Sequence, residues 1–167
     1  MNIVLIGMPG CGKSTVGVIL AKTMLMNFAD TDLFVQNSFG KALHVIISER
    51  SNEFFLEAEN RILSGLTFEN TVIATGGSAV YGKQAMEKLK KNAVTVYLKL
   101  PLKEIESRIK NIKTRGIAMK KGDSLKTLFN DRSPLYAKSA DVTIDCSGLS
   151  PEECVDLICN WVKNIKG

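Results

Sequence analysis

The chain has 167 residues, 45% hydrophobic and 23% charged, with a formal net charge of +5. That suits one domain with a substantial core, and no apolar run approaches the length of a membrane span. The apolar stretch at 3–6 is too short for a signal sequence, and Cys11, Cys146, Cys154 and Cys159 form no C-x-x-C pair beside the lone His44, so a cytoplasmic protein with reduced, packing cysteines is expected.

Short apolar runs separated by helical periodicities predict alternating strands and helices. A strand over 2–6 leads through Gly7-Met8-Pro9-Gly10-Cys11-Gly12-Lys13-Ser14-Thr15 into a helix from about 13 to 25, whose Val16, Val18, Ile19 and Leu20 recur at helical spacing. A G-x-x-x-x-G-K-[ST] loop in that context means phosphate binding. Consecutive backbone N–H groups and the positive end of the following helix form an anion-sized concavity, which the glycines at 7, 10 and 12 let the backbone approach closely. Residues 10–15 are therefore the candidate ATP grip. Lys13 would reach the β- and γ-phosphates, and the Ser14 hydroxyl would ligate Mg²⁺. Cys11 is the one thiol at the mouth of the loop, where modification would reach it.

Asn27 to Asp32 reads as a short strand ending in Asp30-Thr31-Asp32. Two residues apart on a strand, the two carboxylates point to the same side. One can support the Mg²⁺ shell while the other contacts an acceptor hydroxyl; capping of the next helix is the competing role. Helices are expected over 33–40, 43–51 and 52–65, then a strand over 71–75 ending in Gly76-Gly77-Ser78. A helix over 82–91 and a strand over 93–98 follow, and Pro101 starts a helix to about Asn111. The segment 112–122 has little apolar periodicity and several cations, and reads as a mobile loop. Asp123 or Ser124 caps a helix to about Lys138, and 142–145 is the last strand. In the last helix Ser150 is the N-cap, Pro151 lies in the first turn and Glu153 closes a capping box. Its Val155, Ile158, Trp161, Val162 and Ile165 form one apolar stripe.

Short apolar strands between helices indicate a three-layer α/β/α domain with a central parallel sheet of about five strands. In such sheets ligands sit beyond the carboxyl ends of the strands, which gathers the phosphate loop, Asp30, Asp32, Gly76 and Gly77 at one edge. Between Lys83 and Lys126 there are thirteen Lys or Arg against four Asp or Glu. No aromatic interleaving or nucleic-acid motif accompanies them, so nucleic-acid binding is disfavoured against solvated faces and a region facing polyphosphate. For Arg132 the competing role is a surface ion pair with Asp131 or a neighbouring carboxylate, Arg115 reads equally as a solvated cation, and His44 has no assigned role.

The order G-x-x-G-x-G-K-S-T, D-T-D, a Glu-bearing helix, T-G-G-x-A-V, a cationic loop with Arg115, then R-S-P-L-Y and A-D resembles the shikimate kinase family over nearly the whole chain. The resemblance implies a P-loop fold like that of the nucleoside-monophosphate kinases, a single domain over 1–167, a lid over about 112–122 and acceptor-binding helices over about 33–65. It implies ATP as co-substrate with Mg²⁺, Asp30 near the metal, and Asp32 binding the acceptor hydroxyls and serving as or orienting the base. Gly76 and Gly77 would let the backbone approach the acceptor, and Glu59 would help hold its site. Arg115 would reach the transferring phosphoryl group, Arg132 the acceptor's carboxylate, and Arg108 the adenine. Three positions depart from the family: Leu56 stands where a second carboxylate-clamping Arg is usual, Ser78 where a third Gly is usual, and Gly116-Ile117 where Pro-Leu is usual. A lost charge-assisted hydrogen bond is worth about 1.5–3 kcal/mol, roughly 10- to 100-fold in affinity for the acceptor. The expectation is phosphoryl transfer from ATP to a hydroxyl of a small carboxylate, shikimate foremost, by a monomer. A related kinase with another acceptor, or an ATP-binding protein without turnover, stays open.

Overall fold

The structure, a computed structural model, describes residues 1–109 and 116–166. Five parallel strands form one sheet in the order β2-β3-β1-β4-β5: β1 Asn2–Ile6, β2 Asn27–Asp30, β3 Thr71–Ala74, β4 Ala93–Lys99 and β5 Val142–Asp145. β1 and β3 are buried along their whole length, as strands covered on both faces must be, whereas the edge strands β2 and β5 are only partly buried.

The helices are α1 Lys13–Met24, α2 Thr31–Phe39, α3 Leu43–Glu49, α4 Asn52–Ser64, α5 Lys83–Lys90, α6 Leu102–Arg108, α7 Leu125–Ser139 and α8 Pro151–Lys166. From β1 to β2 the chain moves one way along the sheet, and from β3 to β4 the other. Right-handed crossovers then place helices on both faces: α1 packs on α8 and β3, while α5 and α7 pack on β4. The core runs between these layers through Ile3, Leu5, Leu20, Ile73, Val96, Leu98 and Ile158. Among the described residues no helix is long and apolar enough to cross a membrane.

The capping box before α8 is present: the Ser150 backbone N–H donates to Glu153 Oε2 at 2.8 Å, and the Glu153 N–H to Ser150 Oγ at 3.2 Å. Ser124, rather than Asp123, caps α7, in a box with Thr127. Three sequence readings are corrected. β2 stops at Asp30 because that side chain caps α2, so α2 begins at Thr31 and takes Asp32 out of the strand. The turn after β3 contains a 3-10 segment, Ala79–Tyr81, ahead of α5. Ile165 is 49% exposed, so the apolar stripe of α8 ends at Val162. The expected end of the helix after Pro101, near Asn111, lies outside the described residues, as does the expected lid up to Arg115. Of the remainder of that loop, Ile117 and Ala118 are buried, not held out in solvent.

Candidate active site

Register sets the site. Leu5 pairs with Ala74 and Ala74 with Asp30, so β1, β3 and β2 end level and the turns beginning at Gly7, Thr75 and Thr31 emerge side by side. Gly12, at φ +97°, turns the first of these into α1. No side chain caps α1 and no acidic residue lies in its first turn, so its N-terminal N–H groups remain available to an anion. Lys13 is buried, its Nζ donating to the carbonyls of Gly7 at 2.8 Å and Met8 at 2.9 Å, which holds the ammonium over the loop. The Cys11 N–H is turned inward to the Met8 carbonyl at 3.2 Å. Its thiol is 3% exposed, packed beneath the loop 3.7 Å from Lys13 Nζ, so it is not the open thiol its position suggests.

Beside this loop, Ser14 Oγ donates to Asp30 Oδ2 at 2.7 Å, and the Asp32 N–H donates to Asp30 Oδ1 at 3.1 Å. Asp30 thus caps α2 and meets Ser14 at once. The cap, not strand alternation, brings the two aspartates together. A hydroxyl and a carboxylate oxygen in contact are the hard donors that suit Mg²⁺. That ion is usually held by one or two protein oxygens plus waters and substrate phosphates, and among the described residues no closed cluster of three or more His, Cys, Asp or Glu competes with that reading. Burial pushes the Asp32 carboxyl up to about 6, the Asp30 carboxylate adds to the rise, and Lys13 opposes it.

On the acceptor side the chain passes very close to itself. The Gly76 N–H donates to Thr31 Oγ1 at 3.0 Å. A Cβ on Gly76 would lie 2.6 Å from Asp32 Oδ1 and 2.7 Å from Glu59 Oε1, so only glycine leaves both carboxyls in place. Tyr136 Oη donates to the Gly77 carbonyl at 2.5 Å. Arg132 is 1% exposed, its Nη2 donating to the Ala118 carbonyl and its guanidinium 5.3 Å from the Tyr81 ring centroid. The only ion pairs among the described residues are Lys41–Glu49 and Arg108–Glu104, so Arg132 is not the surface partner of Asp131. Its Nε has no hydrogen-bond partner, a buried cation still open to an anion. Glu59 is 2% exposed; its Oε2 accepts from Ser78 Oγ at 2.6 Å, and its Oε1 has no partner. Burial pushes its carboxyl up to about 7, against the Ser78 hydrogen bond, with the Asp32 carboxylate raising it further and Arg132 opposing.

One cavity of about 150 Å³ collects Gly10, Gly12, Lys13, Ser14, Thr15, Asp32, Gly76, Gly77 and Arg132 from the sequence-derived set. Asp30, Cys11 and Glu59 stand just behind it. Arg108 Nη1 lies 3.9 Å from where Gly12 would carry a Cβ, beside the phosphate loop. Arg115 lies outside the described residues. Pro9, Leu43, Phe55, Ser78, Ile117 and Ala118 also line the cavity, and Thr31 and Tyr136 brace it, though sequence reasoning gave none of them a role. Tyr136, four residues after Arg132 and so on the same helix face, was the most findable.

The sequence pattern of the shikimate kinase family matches residues 9–163. The chain is 33% identical to a shikimate kinase of Persephonella marina over 163 residues, covering 97% of this chain and 99% of that protein. It is 36% identical to human threonine synthase-like 1 over 168 residues, 97% of this chain but 22% of that longer protein. The shikimate kinase of Acinetobacter baumannii in complex with shikimate superposes with a TM-score of 0.89 at 29% identity, over 99% of this chain and 94% of that one.

Proposed function

The chain belongs to the shikimate kinase family, and on that footing we propose that it transfers the γ-phosphoryl group of ATP to a hydroxyl of shikimate. The observation that carries the reading is one cavity lined together by the phosphate loop with Lys13, by Asp32 and by Arg132. Between them these groups match both reactants. The uncapped start of α1 and Lys13 suit the terminal phosphates of ATP. The buried, carboxylate-free guanidinium of Arg132 suits an acceptor carboxylate, and Asp32 suits the hydroxyl that is to be phosphorylated.

Little covalent work is asked of such a site; positioning and charge neutralisation supply most of the barrier reduction. Lys13 would leave the Gly7 and Met8 carbonyls for the phosphate oxygens. Asp32, ionised above about pH 6, would accept the hydroxyl proton as the new oxygen–phosphorus bond forms. Gly76 and Gly77 keep the backbone close to the acceptor, and Arg132 fixes its far end. Ser14 and Asp30 would hold Mg²⁺, which when bound neutralises charge on the β- and γ-phosphates. Arg108 beside the phosphate loop suits the nucleotide's base, and Arg115 the transferring group. Residues 116–118 over the cavity suit a cover that keeps water from the phosphoryl group. Four free, buried cysteines suit a reducing cytoplasm.

A second reading, another hydroxylated carboxylate as acceptor, is favoured by the apolar Leu56, which places no cation on α4 beside Glu59. Purified protein with ATP, Mg²⁺ and a panel of hydroxylated acids, read by ADP release, decides between them. Shikimate should lead the panel. Equal or greater release with a different acid would replace the acceptor, and no release with any acid would end the kinase reading.

A further inference from the structure

A carboxyl buried as deeply as Glu59 normally has a cation or several donors to hold it. Glu59 has neither. Among the described residues no Lys or Arg makes an ion pair with it, and Leu56, three residues earlier and so adjacent on the surface of α4, is apolar and packed on the core. Its one hydrogen bond comes from Ser78 Oγ at 2.6 Å. Ser78 is itself buried and lies at φ −88°, ψ −12°, an ordinary right-handed conformation that needs no glycine. The hydroxyl is therefore not a relic of strain in the turn.

That bond has a geometric consequence. It occupies Oε2 and leaves Oε1 as the free oxygen, 2.7 Å from the point where Gly76 would carry a Cβ, with Asp32 Oδ1 2.6 Å from the same point. Two carboxyl oxygens, from α2 and α4, so converge on the space that only a glycine leaves open. If Glu59 turned about its terminal torsion, its oxygens would shift against both Gly76 and Asp32. We propose that Ser78 is a positioning residue: by holding Glu59, it fixes the place of the Asp32 carboxylate against Gly76 and hence the aim of that carboxylate at the acceptor hydroxyl. The near-neutral state that burial favours for Glu59 fits this role, since a second full negative charge beside Asp32 would drive the two apart. The inference rests on the phosphoryl-transfer reading above, in which Asp32 meets the acceptor.

The test is a double-mutant cycle with shikimate as acceptor, reading kcat/KM from ADP release and ADP affinity by calorimetry. Ser78→Ala should lower kcat/KM for shikimate by up to about tenfold, the upper size of one hydrogen bond between neutral groups, and leave ADP affinity unmoved. In a Glu59→Ala background, where nothing remains to be held, Ser78→Ala should make no further difference. Should Glu59→Ala fail to fold, Glu59→Leu, closer in volume, takes its place. A Ser78→Ala protein with wild-type kcat/KM overturns the role. So does an equal loss in both backgrounds, or a parallel fall in ADP affinity, since either means that Ser78 acts directly or through the fold at large. A wild-type protein inert toward shikimate removes the functional reading and this inference together, whereas the other outcomes remove this inference alone.

Discussion

Gly76→Ala is the sharpest perturbation the geometry offers. Gly76 has no positive φ, so a methyl group there brings no backbone strain and the effect is purely one of contact. The new carbon would meet Asp32 Oδ1 at 2.6 Å and Glu59 Oε1 at 2.7 Å. Each oxygen would have to retreat by roughly half an ångström or more to reach ordinary contact in a close-packed interior. Glu59 has little room to do so: it is 2% exposed and its other oxygen is tied to Ser78. Asp32, half-buried and lining the cavity, gives way instead. A displacement of that order in a reacting group costs on the order of 100-fold in rate, and overpacking costs about 1–3 kcal/mol of stability. Gly76→Ala should therefore lower kcat with shikimate about 100-fold, lower Tm by about 2–12 °C, and leave ADP affinity unchanged, because the phosphate loop is not touched. Steady-state ADP release, thermal melting and calorimetry read the three quantities. A Gly76→Ala protein with kcat within threefold of wild type would refute the argument that this α-carbon sets the position of the base.

The buried Glu59 makes stability depend on pH. Its folded pKa, about 7, lies above the ordinary 4.5, so its contribution is full below about pH 4.5 and is lost as pH rises through about 7. Denaturant melts of wild type against Glu59→Gln should diverge over that window by on the order of 3 kcal/mol, wild type losing stability relative to the variant as pH rises; parallel curves would mean that Glu59 is not held near neutrality. Lys13→Ala should reduce ADP release to background, and turnover retained in that variant would detach the ammonium from the phosphates. Asp32→Asn should lower kcat severely while ATP still binds by calorimetry; near-wild-type turnover would remove Asp32 from the mechanism.

The amino-acid sequence by itself determined the parts of this protein that depend on near neighbours along the chain. The phosphate loop, the box that starts α8 and the continuous apolar runs of β1 and β3 are local patterns, made by hydrogen bonds and burial within a few residues. The parallel sheet followed from the alternation of strands and helices, and the rule about strand ends already placed Asp30, Asp32, Gly76 and Gly77 on one edge. Resemblance to a family supplied roles for Arg108, Arg115, Arg132 and Glu59 that no local pattern carries. Only the tertiary structure decided what stands against what. Asp32 sits beside Asp30 because a capping side chain ended β2 early, a competition between strand and helix that spacing alone does not resolve. Arg132 is a buried cation rather than a surface one because α7 lies over the turn after β3. Ser78 meets Glu59, nineteen residues away, because α4 crosses that turn. Such contacts are fixed by how layers pack, and packing is a property of the whole chain rather than of any stretch of it.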